Sequence, residues 1–134
     1  MAVEPLVISS SPENIRDVES FIDTVCTAYD VGEEAYGNML ISVTEAANNA
    51  IIHGNKRDAS KKVTLTADKD ESGKYLVITV SDEGDGFDFH DLPDPTAPEN
   101  ITAVGGRGIF LIQQLADLVV FDNDGSTIEI QFKL

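Results

Sequence analysis

Glu45 and Asn49 stand four residues apart in the segment Glu45-Ala46-Ala47-Asn48-Asn49-Ala50-Ile51-Ile52-His53-Gly54-Asn55. On a helix, residues at i and i+4 share one face, so a carboxylate and a carboxamide would point the same way. The carboxylate can take a proton or polarise a nucleophile. The carboxamide can offer an oxygen to a hard cation such as Mg2+. Polar pairs at this spacing are also common on solvated helix faces, so the pair alone decides nothing.

Two glycine-containing segments add to it. Ser81-Asp82-Glu83-Gly84-Asp85-Gly86-Phe87 follows Tyr75-Leu76-Val77-Ile78-Thr79-Val80, which reads as a buried strand. An acidic residue at a strand end, then Gly-x-Gly, makes a turn with little side-chain bulk. A planar ligand can approach such a backbone closely, and Asp82 can accept a hydrogen bond from an exocyclic amine. An ordinary Asp/Gly turn would look the same. Gly105-Gly106-Arg107-Gly108 leads into the apolar helix pattern Ile109 to Ala116. Glycines at a helix entry leave backbone N–H groups free to meet an anion, and the helix dipole adds to that preference. A plain loop before a core helix is the competing reading.

The order of the three parts, all between Glu45 and Gly108, is far more specific than any one of them. Here the chain resembles the GHKL ATP-binding superfamily, and within it the anti-sigma factor serine/threonine kinases. Asn49-Ala50-Ile51-Ile52-His53-Gly54 is similar to that branch's N-box. Asp82-Glu83-Gly84-Asp85-Gly86-Phe87 is similar to its first glycine box, and Gly106-Arg107-Gly108-Ile109-Phe110-Leu111-Ile112 to its second. The resemblance covers nearly the whole chain. It implies ATP and Mg2+ as cofactors, with Glu45 as the general base for a serine hydroxyl and Asn49 as the metal ligand. It implies that Asp82 reads the adenine amino group beside Gly84 and Gly86. Gly105, Gly106, Arg107 and Gly108 would lie over the phosphates. It implies a sigma factor and an anti-anti-sigma protein as partners, and it allows a homodimer. Several members carry a basic residue before the second glycine box, where this chain has Ala103-Val104; Arg107 lies inside the glycine run instead. Two other readings stand beside the kinase: an ATP-switched binding module, and the catalytic half of a split histidine kinase. The last lacks a phospho-acceptor helix pair here, and its N-box differs.

The elements that would position these residues follow from periodicity. Val3 to Ser9 reads as an edge strand, because Pro5 cannot donate to a ladder. Ser11-Pro12 reads as a helix start with Ser11 as N-cap, and Ile15, Val18, Phe21, Ile22, Val25, Cys26 and Tyr29 recur at helical spacing. Asp30-Val31-Gly32 breaks that helix. Glu33 to His53 is a second helix that Gly54 stops. Val63, Leu65 and Ala67 alternate with polar neighbours, matched by Leu76, Ile78 and Val80 on a returning strand. Asp88 to Val104 is long, holds three prolines, and reads as a lid. Leu118–Phe121 and Ser126–Phe132 flank Asn123-Asp124-Gly125, a hairpin signal. The expected fold is α+β: a two-layer α/β sandwich of the GHKL type, with a mixed, largely antiparallel sheet and helices on one face.

Composition agrees. A chain of 134 residues, 42% hydrophobic, suits one domain over residues 1–134 with a real core. No apolar run approaches the roughly 20 residues of a membrane span, and no signal peptide is visible at Met1-Ala2-Val3-Glu4. Cys26 is the only cysteine, which excludes an intrachain disulfide and makes a reducing cytoplasm the expected home. It sits at a core position of the first helix. The net charge of −15, with only nine basic residues, argues against direct nucleic-acid binding. It could steer a basic protein partner or serve solubility alone.

Overall fold

The computed structural model describes residues 3–84, 106–122 and 126–134. The expected lid 88–104, Gly86, Gly105 and the turn 123–125 lie outside the described residues, as does the side chain of Arg107.

Five strands form one sheet: β1 (Leu6–Ser9), β2 (Lys62–Lys69), β3 (Tyr75–Ser81), β4 (Leu118–Asp122) and β5 (Thr127–Lys133). Their spatial order is β1-β2-β3-β5-β4, so β1 is an edge strand, as Pro5 predicts. Every pairing among the described strands is antiparallel. Register follows the alternation of apolar residues. Leu65, Val80, Ile128 and Phe121 form one cross-strand row, and Ala67, Ile78, Ile130 and Val119 the next. A slip of one residue would turn every one of these side chains to the opposite face.

Three helices cover that face: α1 (Ile15–Ala28), α2 (Glu33–Asn49) and α3 (Gly106–Leu115). Val18, Phe21, Ile22 and Val25 of α1, Met39, Val43 and Ala47 of α2, and Ile109 and Ile112 of α3 are buried with the inward strand residues in one core. Cys26 belongs to it, with its sulfur 3.9 Å from that of Met39.

Two helix ends differ from expectation. Residues Pro12–Asn14 form a 3-10 turn before α1. The Ser11 hydroxyl caps no backbone group and instead donates to the Glu13 carboxylate at 3.2 Å. The second helix does not simply stop at Gly54. After Asn49 it widens into a π-helical turn, Ala50–Gly54, and the Asn55 N–H bonds back to the Ala50 carbonyl at 2.8 Å. Such turns distort the regular ladder and are frequent at functional sites. The chain then leaves through Lys56 and Arg57, both at positive φ (53° and 60°).

Candidate functional site

Glu45 and Asn49 lie at the C-terminal end of α2, on the side that meets α3. The residue opposite them is Gly108. A Cβ placed there would lie 2.9 Å from Glu45 Oε2 and 2.9 Å from Asn49 Nδ2. The missing side chain at Gly108 is therefore what lets both polar groups fit between the helices. The buried Nδ2 of Asn49 has no hydrogen-bond partner. A buried amide left unpaired costs about 1–3 kcal/mol, so among the described residues this group is without the partner that its burial calls for. A 180° turn of the carboxamide exchanges N and O within the same slot, so the slot can face either an anion or a cation.

The second cluster lies where the π turn meets the end of β3. The Asp82 carboxylate packs on Gly54: a Cβ on Gly54 would lie 2.5 Å from Asp82 Cγ. Gly84 stacks on Gly54 in turn, and a Cβ there would come within 2.7 Å of the Gly54 carbonyl carbon. Only hydrogen at both α-carbons permits this approach. The Asp82 backbone N–H donates to the Ser126 carbonyl at 2.9 Å, and the carboxylate accepts the Gly84 N–H at 2.7 Å. Burial pushes the Asp82 pKa up; the Gly84 N–H and the Lys61 charge oppose that rise without cancelling it. Asp82 is thus a half-buried acceptor that water satisfies poorly.

The structure therefore brings Glu45, Asn49 and Gly108 together at one place, and Gly54, Asp82 and Gly84 at another along the same helix. Gly106 opens α3 two residues before Gly108. Asn55 was singled out by no motif, yet it ties the second cluster together. Its Oδ1 accepts the Glu83 N–H at 2.8 Å. A buried polar residue directly after a helix-ending glycine was the available signal. His53 is exposed in the last turn, where a cation suits the helix dipole. Burial, with a smaller effect from Asp23, lifts the Cys26 thiol to about 11, so it stays protonated and unreactive near neutral pH.

Among the described residues, no group of three His, Cys, Asp or Glu side chains could hold a metal ion unaided. No helix among them is long and apolar enough to cross a membrane.

A sandwich of helices over one face of an antiparallel sheet, with polar groups gathered between helix ends and strand ends, defines a class of small ATPase domains. The chain belongs to the histidine kinase-like ATPase domain family, whose profile matches residues 8–132. It is similar to the serine-protein kinase RsbW of Bacillus licheniformis, at 28% identity over 116 residues, 82% of this chain and 71% of that protein. It is 28% identical over 122 residues to the serine-protein kinase RsbW of Bacillus subtilis strain 168, covering 87% and 75%. With the Staphylococcus aureus strain JH9 protein of the same name it shares 34% over 102 residues, 67% of this chain and 60% of the relative.

Proposed function

We propose that this chain is an ATP-dependent protein serine/threonine kinase that binds a sigma factor and phosphorylates an anti-anti-sigma protein. The observation that carries the reading is the meeting of Glu45 and Asn49 over Gly108. A protein that only sensed nucleotide would have no use for a carboxylate beside the phosphate-facing glycines. The names of the relatives support the same class.

The residues present fit a nucleotide. Gly54 and Gly84 let the π turn and the turn after β3 close tightly around the Asp82 carboxylate, a half-buried acceptor suited to the amino edge of adenine. Gly105, Gly106, Arg107 and Gly108 precede or open α3, whose N-terminal N–H groups suit phosphate oxygens. The Asn49 Nδ2, unpaired among the described residues, suits a phosphate oxygen, and with the carboxamide turned over its oxygen suits a hard cation. Asn49 would hold Mg2+, which would supply neutralisation of phosphate charge there.

Glu45 then takes the proton of the substrate hydroxyl as that oxygen bonds to the γ-phosphorus. The bond from phosphorus to the bridging oxygen breaks, and ADP departs with its electron pair. Phosphoryl transfer is mostly positioning and charge stabilisation, so one carboxylate, one carboxamide and a run of backbone amides suffice. Incubating the protein with labelled ATP, Mg2+ and the candidate anti-anti-sigma protein tests the reading. Label on a serine or threonine of that protein is the expected result. Tight Mg-ATP binding without transfer would favour the ATP-switched binding module.

A further inference from the structure

Asn55 is 1% exposed, and its side chain is bonded on every side. Nδ2 donates to Ser10 Oγ at 2.7 Å and to the Lys62 carbonyl at 2.9 Å, while Oδ1 accepts the Glu83 N–H at 2.8 Å. Glu83 closes a ring, because its carboxylate accepts the Lys62 backbone N–H. Both backbone groups of Lys62 are thus held by the same two residues. The ring locks together three pieces of chain: the exit from the π turn, the start of β2, and the turn after β3. Asp82 is the immediate neighbour of Glu83. Its own N–H is fixed to Ser126 on the sheet side. The backbone that carries its carboxylate is therefore held on both N–H groups, at Asp82 and at Glu83.

We infer that Asn55, acting through the Glu83 N–H, is the positioning residue that sets the base selectivity of the nucleotide site. The inference rests on reading Asp82 as the group that meets the base. A carboxylate tells a purine amine from a purine carbonyl only if its oxygens cannot move to suit either. Turn residues next to a glycine have no such rigidity of their own. Asn55 supplies it from outside the turn, and does so without touching the ligand. Small displacements of a polar group from its productive position are costly to recognition and catalysis.

The test is calorimetric: dissociation constants for ATP and GTP, with the thermal midpoint of each variant. Asn55→Ala removes the acceptor of the Glu83 N–H, whereas Glu83→Ala removes only the bond to Lys62 and leaves that N–H on Asn55. In Asn55→Ala the preference for ATP over GTP should fall by ~5-fold or more, the scale of loss expected when a positioned group is loosened, and in Glu83→Ala by less. Glu83→Gln should keep the wild-type preference, because its amide oxygen still accepts the Lys62 N–H. Ser10→Ala removes a bond of Asn55 remote from the turn; it should lower the midpoint and leave the preference intact. A residue that was merely structural would move the midpoint and not the ratio. Wild-type preference in folded Asn55→Ala, with preference lost in Asp82→Asn, overturns the inference and spares the reading of Asp82. Wild-type preference in Asp82→Asn removes that reading, and the inference with it. If Asn55→Ala does not fold, Asn55→Asp decides the matter: it keeps an oxygen for the Glu83 N–H and loses the Nδ2 bonds, so a kept preference at a lowered midpoint supports the inference and a lost preference overturns it.

Discussion

The carboxylate of Asp82 sits against two glycines, partly out of water, with one neighbouring N–H bonded to it. Its raised pKa has a definite consequence for stability. The folded state binds the proton more readily than the unfolded chain does, so ionised Asp82 works against folding. The stability this group allows is fully present below the ordinary carboxylate range, and is lost as pH rises through the raised native value. Without nucleotide, Asp82→Asn should therefore be at least as stable as wild type at about pH 7, with the advantage gone near pH 3; melting curves at both values check this. The same variant should bind ATP more weakly by ~1–3 kcal/mol, the usual cost of a lost buried or charged hydrogen bond. Unchanged ATP affinity in calorimetry would count against the adenine role. Asn49 makes a different prediction, because its Nδ2 has no partner among the described residues. Asn49→Ala should remove most of the gain in ATP affinity that Mg2+ brings, and change metal-free binding by less than about threefold. Equal losses in the two conditions would make Asn49 a structural residue.

At the C-terminus of α1, Asp30 takes the left-handed conformation, φ 55°, and the Val31 N–H returns to the Cys26 carbonyl at 2.9 Å. Glycine is the residue suited to that position, and a carboxylate there also opposes the helix dipole. Asp30→Gly should stabilise the protein by about 0.5–1 kcal/mol in denaturant unfolding; a loss of stability would mean that the Asp30 side chain has a compensating role. The sequence already broke the helix at Asp30-Val31-Gly32, but glycine content pointed to Gly32 and not to the residue that bears the strain. The same limit recurs elsewhere. Alternation of Val63, Leu65 and Ala67 with Leu76, Ile78 and Val80 was enough to pair β2 with β3, since one face of each strand is buried. The spacing of Glu45 and Asn49, and the glycines at 84 and 108, marked the groups that the fold brings into contact. Three features left no periodic trace. The π turn is a backbone rearrangement of a sequence that reads as ordinary helix. The Ser11 hydroxyl donates to Glu13 and accepts no helix N–H. The partners of Asn55 come from positions 10, 62 and 83, which no local pattern connects.

Across the whole molecule the charge is unevenly placed. From the start of the chain to Glu45, Arg16 is the only lysine or arginine among nine acidic residues: Glu4, Glu13, Asp17, Glu19, Asp23, Asp30, Glu33, Glu34 and Glu45. Lys56, Arg57, Lys61, Lys62, Lys69 and Lys74 fall together after the π turn. The stretch that builds α1 and α2 is thus strongly acidic, suited to draw in a basic protein such as the proposed sigma factor. The association rate should fall by roughly tenfold or more between ~0.05 and ~0.5 M salt, with a much smaller change in the dissociation rate; stopped-flow mixing reads both, and a salt-independent association rate would remove the steering role. The central claim is that the whole domain is a kinase and not a nucleotide sensor, and Glu45 separates the two. The direct measurement is phosphate transfer from Mg-ATP to the partner protein by wild type and Glu45→Ala, beside their ATP affinities. Loss of the general base should cut transfer by ~10²-fold or more and leave ATP binding within about a factor of three. Normal transfer by Glu45→Ala, or none by a wild-type protein that binds Mg-ATP, would contradict the account.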